Sequence, residues 1–162
     1  MPILLLWLLY AAAFMIMSLI TSKYFSFEQF MHMQFSVENS LKFYEKFDFA
    51  GFKHSYLYGL IWDYPYMLTY TAALIYTMGY VMCKNRLAKA SYLFILPFVG
   101  FLSDASENVL EFLIIKRFPT YSLRLVQLRV ILSTMKWLFI GFSAVVIIFL
   151  AIRYLVRSKR IL

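Results

Sequence analysis

Apolar and polar positions fall into long blocks along this chain, and the blocks set the fold class. Four apolar segments, residues 2–20, 64–83, 91–115 and 130–154, each extend roughly 20 residues or more. At 1.5 Å per helical residue, each covers about 30 Å of hydrocarbon. They predict an all-α fold: a four-helix transmembrane bundle, forming a single integral membrane domain. The link over 26–47 has a different rhythm. Phe27, Phe30, Met31, Gln34, Val37, Leu41 and Tyr44 recur at helical spacing with charges elsewhere. This predicts one or two amphipathic helices lying on the membrane or capping the bundle. Ala50-Gly51 then breaks the pattern.

The connections follow from the punctuation. No basic stretch precedes the first block and no small-x-small cleavage pattern follows it, so it reads as an uncleaved anchor. Pro65 is expected in the first turn of the second span, where a missing N–H costs little. The short link over 84–89 makes the second and third spans antiparallel neighbours. Phe118-Pro119-Thr120 marks a turn, and residues 121–129 lead into the fourth span as a basic helical extension.

The third block contains the sharpest signal. Asp104, Glu107, Asn108 and Glu111 lie at offsets that place them on one helical stripe. A charge at the centre of a span costs roughly 2.5–3.5 kcal/mol on insertion scales, so such groups face the bundle interior. Pro97 and Gly100 continue the same arc; Pro97 frees a carbonyl and Gly100 permits a close neighbour. Arg129, Ser133, Lys136 and Ser143 share a face of the fourth span. Counting back from Lys116 and forward from Val130 puts Glu111 level with Lys136, and an ion pair between them is expected. On the second span, Asp63, Tyr66, Met67, Tyr70, Leu74 and Thr77 share a face, with Tyr66 and Tyr70 as hydroxyl donors to the carboxylates. The expected site is a polar pocket of Asp63, Tyr66, Tyr70, Asp104, Glu107, Asn108, Glu111 and Lys136. If it catalyses, Glu107 is the acid-base group and Asp104 its metal or proton partner; paired carboxylates suit either role.

Asp104-x-x-Glu107-Asn108 in a third span, Phe118-Pro119 after it and Lys136 early in a fourth resemble a group of small four-span bacterial membrane proteins with a D-x-x-E-N signature. The resemblance centres on residues 60–150. It implies a shared fold and a shared site, and names no reaction.

Composition supports the membrane class. The chain has 162 residues, 63% of them hydrophobic, with mean hydropathy +0.73, well above the even balance of soluble domains. The net charge of +8 would raise nucleic acid in a soluble protein. Here the basic residues flank apolar blocks, as Lys84, Arg86 and Lys89 do, or Arg153, Arg157, Lys159 and Arg160. That placement favours membrane lipids over nucleic acid as the partner. It also favours both termini on the cytoplasmic side, although Lys116, Arg117, Arg124 and Arg129 make the opposite end basic too. The one cysteine, Cys83, excludes an intrachain disulfide and a cysteine zinc cluster. No glycine-rich phosphate loop, nucleophile elbow, H-E-x-x-H or C-x-x-C occurs, and no cofactor is indicated.

Several features have plainer readings. Met31-His32-Met33 suits a soft metal, but interfacial packing accounts for one such triplet. His54 reads as a loop residue, and Lys159-Arg160 as a headgroup contact. The acidic stripe itself suits either a register-fixing polar network or a site for a lipid or small molecule. An accessory subunit of a respiratory or ATP-synthase type complex, and an ion or proton conductor, are the other function classes.

Overall fold

A computed structural model describes residues 2–22, 26–45 and 52–159 of the chain. Among the described residues the fold is all-α, with helices α1 (Pro2–Thr21), α2 (Phe27–Phe35), α3 (Val37–Tyr44), α4 (Phe52–Lys84), α5 (Ile95–Arg117) and α6 (Leu123–Lys159). A 3-10 segment, Ala88–Phe94, feeds directly into α5. Among the described residues two helical stretches are long and apolar enough to cross a membrane: Lys89–Arg117 and Leu123–Ser158, with mean hydropathy 1.3 and 2.4. Ile3–Leu19 is a shorter apolar helix. The expected second span is part of a much longer helix, diluted by tyrosines and by Asp63.

α5 and α6 form the central antiparallel pair, α4 packs on both, and α1 lies against α4. Gly100 lies where α5 and α6 approach closely. A Cβ there would stand 3.3 Å from the Ile140 side chain and 3.6 Å from its backbone nitrogen. Trp7 of α1 donates from Nε1 to Thr77 Oγ1 at 3.0 Å, and the Tyr10 ring stacks on Tyr66. At the other end of α4, Asn85 donates from Nδ2 to the carbonyls of Val81 and Leu150, both at 2.8 Å, joining that turn to α6.

The link after α1 caps the bundle. Ser26 caps α2 in a reciprocal box with Gln29, and Ser36 both ends α2 and caps α3 by accepting from the Asn39 N–H. The two helices bury Met33, Gln34, Ser40, Phe43 and Tyr44. Met33, Phe43 and Tyr44 join Tyr56, Ile114, Ile115 and Val126 in one apolar cluster. So the capping alternative holds, and the break at Ser36 separates the helical phases of α2 and α3. The Ala50-Gly51 break lies outside the described residues.

Two helix boundaries depart from expectation, those of α4 and α5, and that of α6 follows it. α4 begins at Phe52, twelve positions before the expected start, so Pro65 sits inside the helix. Burial of Tyr56 and packing of Leu57 and Leu60 against the cap cluster account for the added turns. α6 begins at Leu123, two turns before the apolar block, as its basic extension suggested. Pro97 falls in the first turn of α5, just after the 3-10 segment, where its missing N–H is tolerated.

A buried ion-pair network as candidate functional site

The stripe on α5 turns wholly inward. Ser103, Asp104, Glu107, Asn108 and Glu111 are all buried, as are Pro97 and Gly100. Arg129, Ser133, Lys136 and Ser143 of α6 are buried opposite them. The antiparallel pair therefore places one acidic and one basic face in direct contact.

The register of that contact corrects the expected pairing. Lys136 Nζ lies 3.0 Å from Asp104 Oδ1 and 2.6 Å from Glu107 Oε2. Glu111 is paired instead with Arg129, at 3.2 Å, and Arg129 also reaches Glu107 at 2.7 Å. Levelling Lys116 with Val130 mistakes the ends of the apolar blocks for the ends of the helices. The helices actually face each other from Arg117 and Leu123, and this shift of two turns slides Lys136 down to Asp104.

α4 contributes from the same face at intervals of seven residues. Tyr56 donates to Glu111 Oε1 at 2.8 Å, and Tyr70 donates to Asp104 Oδ2 at 2.7 Å. Asp63 accepts from Asn108 Nδ2 at 2.5 Å, while the same amide lies 3.1 Å from Met67 Sδ. Tyr66, expected as a second donor, packs its ring against Tyr10 and edge-on to Tyr70. Among the described residues no hydrogen bond joins it to a carboxylate.

The cap supplies partners that the sequence did not single out. Arg129 Nη1 donates to the Met33 carbonyl at 2.9 Å. The Gln34 amide bonds to Ser133, and in the orientation that satisfies both of its ends it donates to Glu107 Oε1 at 3.0 Å and accepts from Arg129 at 2.9 Å. Arg129 is fully buried, and its planar fork suits two carboxylates and a carbonyl at once. Its seven-residue spacing from Lys136, on a face shared with Ser133, was a readable sign of this role.

Among the described residues the charges do not balance. Asp63, Asp104, Glu107 and Glu111 stand against Arg129 and Lys136, a formal excess of two negative charges. Both oxygens of Glu107 are in contact with cations. Among the described residues Asp63 makes no ion pair, and it is the one carboxylate of the four that is partly exposed.

Among the described residues no three His, Cys, Asp or Glu side chains gather as a ligand set, and Lys136 occupies the side of Asp104 where a cation would bind. Met31-His32-Met33 is split: Met33 is buried, while the His32 side chain is exposed beside Glu28 at 3.6 Å. The side chains of His54 and Lys159, and all of Arg160, lie outside the described residues.

No family model, no curated protein and no solved structure matches this chain.

Proposed function

We propose that this is a four-span integral membrane protein whose buried acidic cluster receives the positively charged group of a lipid or small molecule at Asp63. The membrane reading rests on what the surface exposes. Along α6, Leu128, Ile131, Leu138, Phe142, Val145, Phe149 and Ile152 are about half exposed, and the only charges between Arg124 and Arg153, Arg129 and Lys136, point inward. Those two arginines stand 29 positions apart. That is about 43 Å of helix, enough to cross hydrocarbon and both interfaces with tilt. A water-facing monomer rarely exposes apolar patches beyond a few hundred Å². α1 and the part of α4 over 64–83 complete the bundle, and the basic ends at Lys84, Arg86, Arg153 and Arg157 favour a cytoplasmic side there.

The ligand class follows from the charge excess, the observation on which the proposal stands. A charge at the centre of a span costs roughly 2.5–3.5 kcal/mol on insertion scales, and here two cations are shared among Asp104, Glu107 and Glu111 while Asp63 has none. A proton or a ligand's cation removes that cost, whereas a phosphate or carboxylate ligand adds to it. Asp63 lies at the exposed margin and is oriented by Asn108. Tyr66 and Tyr70 follow it within two turns, and Tyr10 stacks on Tyr66. Aromatic faces beside a carboxylate favour ammonium groups, each contact contributing about 0.5–2 kcal/mol. Glu107, clamped by Arg129 and Lys136, is a poor acid-base group, so the geometry favours binding over turnover.

The test uses the full chain in lipid nanodiscs, with a radiolabelled long-chain trimethylammonium probe and its sulfonate analogue. Saturable binding of the ammonium probe is expected, weakened at least about tenfold by Asp63→Asn, with no saturable binding of the sulfonate. Equal binding of both probes, or unchanged affinity in the variant, refutes the proposal.

A further inference from the structure

The end of the bundle remote from the acidic cluster has a surface feature of opposite sign. Phe149, Ile152, Arg153, Val156 and Arg157 line a shallow, open groove formed on the outer face of α6 alone. Arg153 and Arg157 are one turn apart and exposed, and among the described residues neither makes an ion pair. The three apolar residues lead from the arginines toward the apolar face that α6 exposes along its length. Beside them, Lys84 lies 5.4 Å from the Tyr80 ring and 6.0 Å from the Tyr154 ring, so the same end has a third cation.

From this arrangement we infer that the groove binds one anionic phospholipid, its phosphodiester between Arg153 and Arg157 and its first methylenes on Phe149, Ile152 and Val156. Two guanidinium forks match phosphate oxygens in charge and in planar donor geometry. The rest of the acyl chain continues along exposed α6, which a free phosphate has no means to use. The inference rests on the membrane reading above but is independent of the ligand proposed at Asp63.

Full-length protein is released from vesicles of equal phosphatidylglycerol and phosphatidylcholine and weighed intact by native mass spectrometry with its retained lipid. One phosphatidylglycerol is expected in preference to phosphatidylcholine. Arg153→Gln with Arg157→Gln should reduce that preference on the order of twentyfold, since each basic residue near an anionic surface contributes about fivefold. Lys116→Gln with Arg117→Gln, at the other end, should leave it unchanged. Circular dichroism verifies that each variant is helical, and Arg153→Lys with Arg157→Lys, which keeps the charge, should retain most of the preference. Loss of the lipid to inorganic phosphate at constant ionic strength, or a preference insensitive to both arginines, overturns the groove while leaving the membrane reading intact. Release of the wild-type chain from vesicles by alkaline carbonate overturns both.

Discussion

Replacing Arg129 by methionine should cost more than any other single substitution in the network. The guanidinium is fully buried and holds Glu107 at 2.7 Å, Glu111 at 3.2 Å and the Met33 carbonyl at 2.9 Å. Methionine fills much of the volume but leaves the formal carboxylate excess at three instead of two. Breaking a buried pair by removing one partner costs about 3–5 kcal/mol, because a charge is left uncompensated. For a chain of this size each kcal/mol corresponds to about 2–4 °C, so the apparent melting temperature should fall by about 6–20 °C. Intrinsic fluorescence of Trp7, Trp62 and Trp137 in detergent follows the transition at a fixed scan rate. Arg129→Lys should fall between wild type and methionine, since it keeps the charge and loses the fork. Adding Glu107→Gln and Glu111→Gln to the methionine variant should recover part of the loss. A fall under about 2 °C for Arg129→Met, or no recovery in the triple variant, would refute the claim that this arginine organises the cluster.

The remaining expectations concern packing and alkaline pH. Gly100→Ala places a Cβ 3.3 Å from Ile140 Cγ1, a flexible side-chain atom, and alanine gains up to about 1 kcal/mol of helix propensity. The two effects nearly cancel, and a melting temperature within about 3 °C of wild type is expected. Gly100→Leu instead drives branched carbon into the Ile140 and Phe139 backbones' side of α6 and should cost about 1–3 kcal/mol, read in the same assay. Burial, and then the nearby Glu111, push the Tyr44 phenol well above its ordinary range. The unfolded phenol ionises near pH 10 and the folded one higher, so this contribution is intact below about pH 10 and lost as pH rises beyond it. Melting measured from pH 8 to 11 should therefore fall less steeply in Tyr44→Phe than in wild type.

The parts of this fold that were legible in the sequence are those with unbroken periodicity. The α5 stripe of Asp104, Glu107, Asn108 and Glu111, and the α6 face of Arg129, Ser133, Lys136 and Ser143, are each buried to the last residue because lipid or apolar neighbours leave polar groups only one direction to face. Tyr70 was found for the same reason. The register between helices was not legible, because it depends on where each helix ends rather than on where its apolar block ends. Arg124 and Arg129 look alike as flanking basic residues, yet one is exposed and the other is the buried hub of the cluster.

Two other contributors were hidden for different reasons. Tyr56 stands seven residues before Asp63 and fourteen before Tyr70, a spacing that places all three on one face. The block around it is too polar to read as a span, which hides that face. Gln34 was counted in the amphipathic stripe of the link. Its role as bridge between Glu107 and Arg129 depends on tertiary docking of α2, which local pattern does not encode.

The central claim is that the cluster is short of positive charge and that Asp63 is where the missing charge enters. A high-resolution cryo-EM map of the full chain in nanodiscs, recorded with the long-chain trimethylammonium probe, tests it most directly. The account predicts density for the quaternary head within about 5 Å of the Asp63 carboxylate and against the rings of Tyr66 and Tyr10. A map with the head elsewhere, or with Asp63 turned out to water while the probe binds another surface, contradicts it.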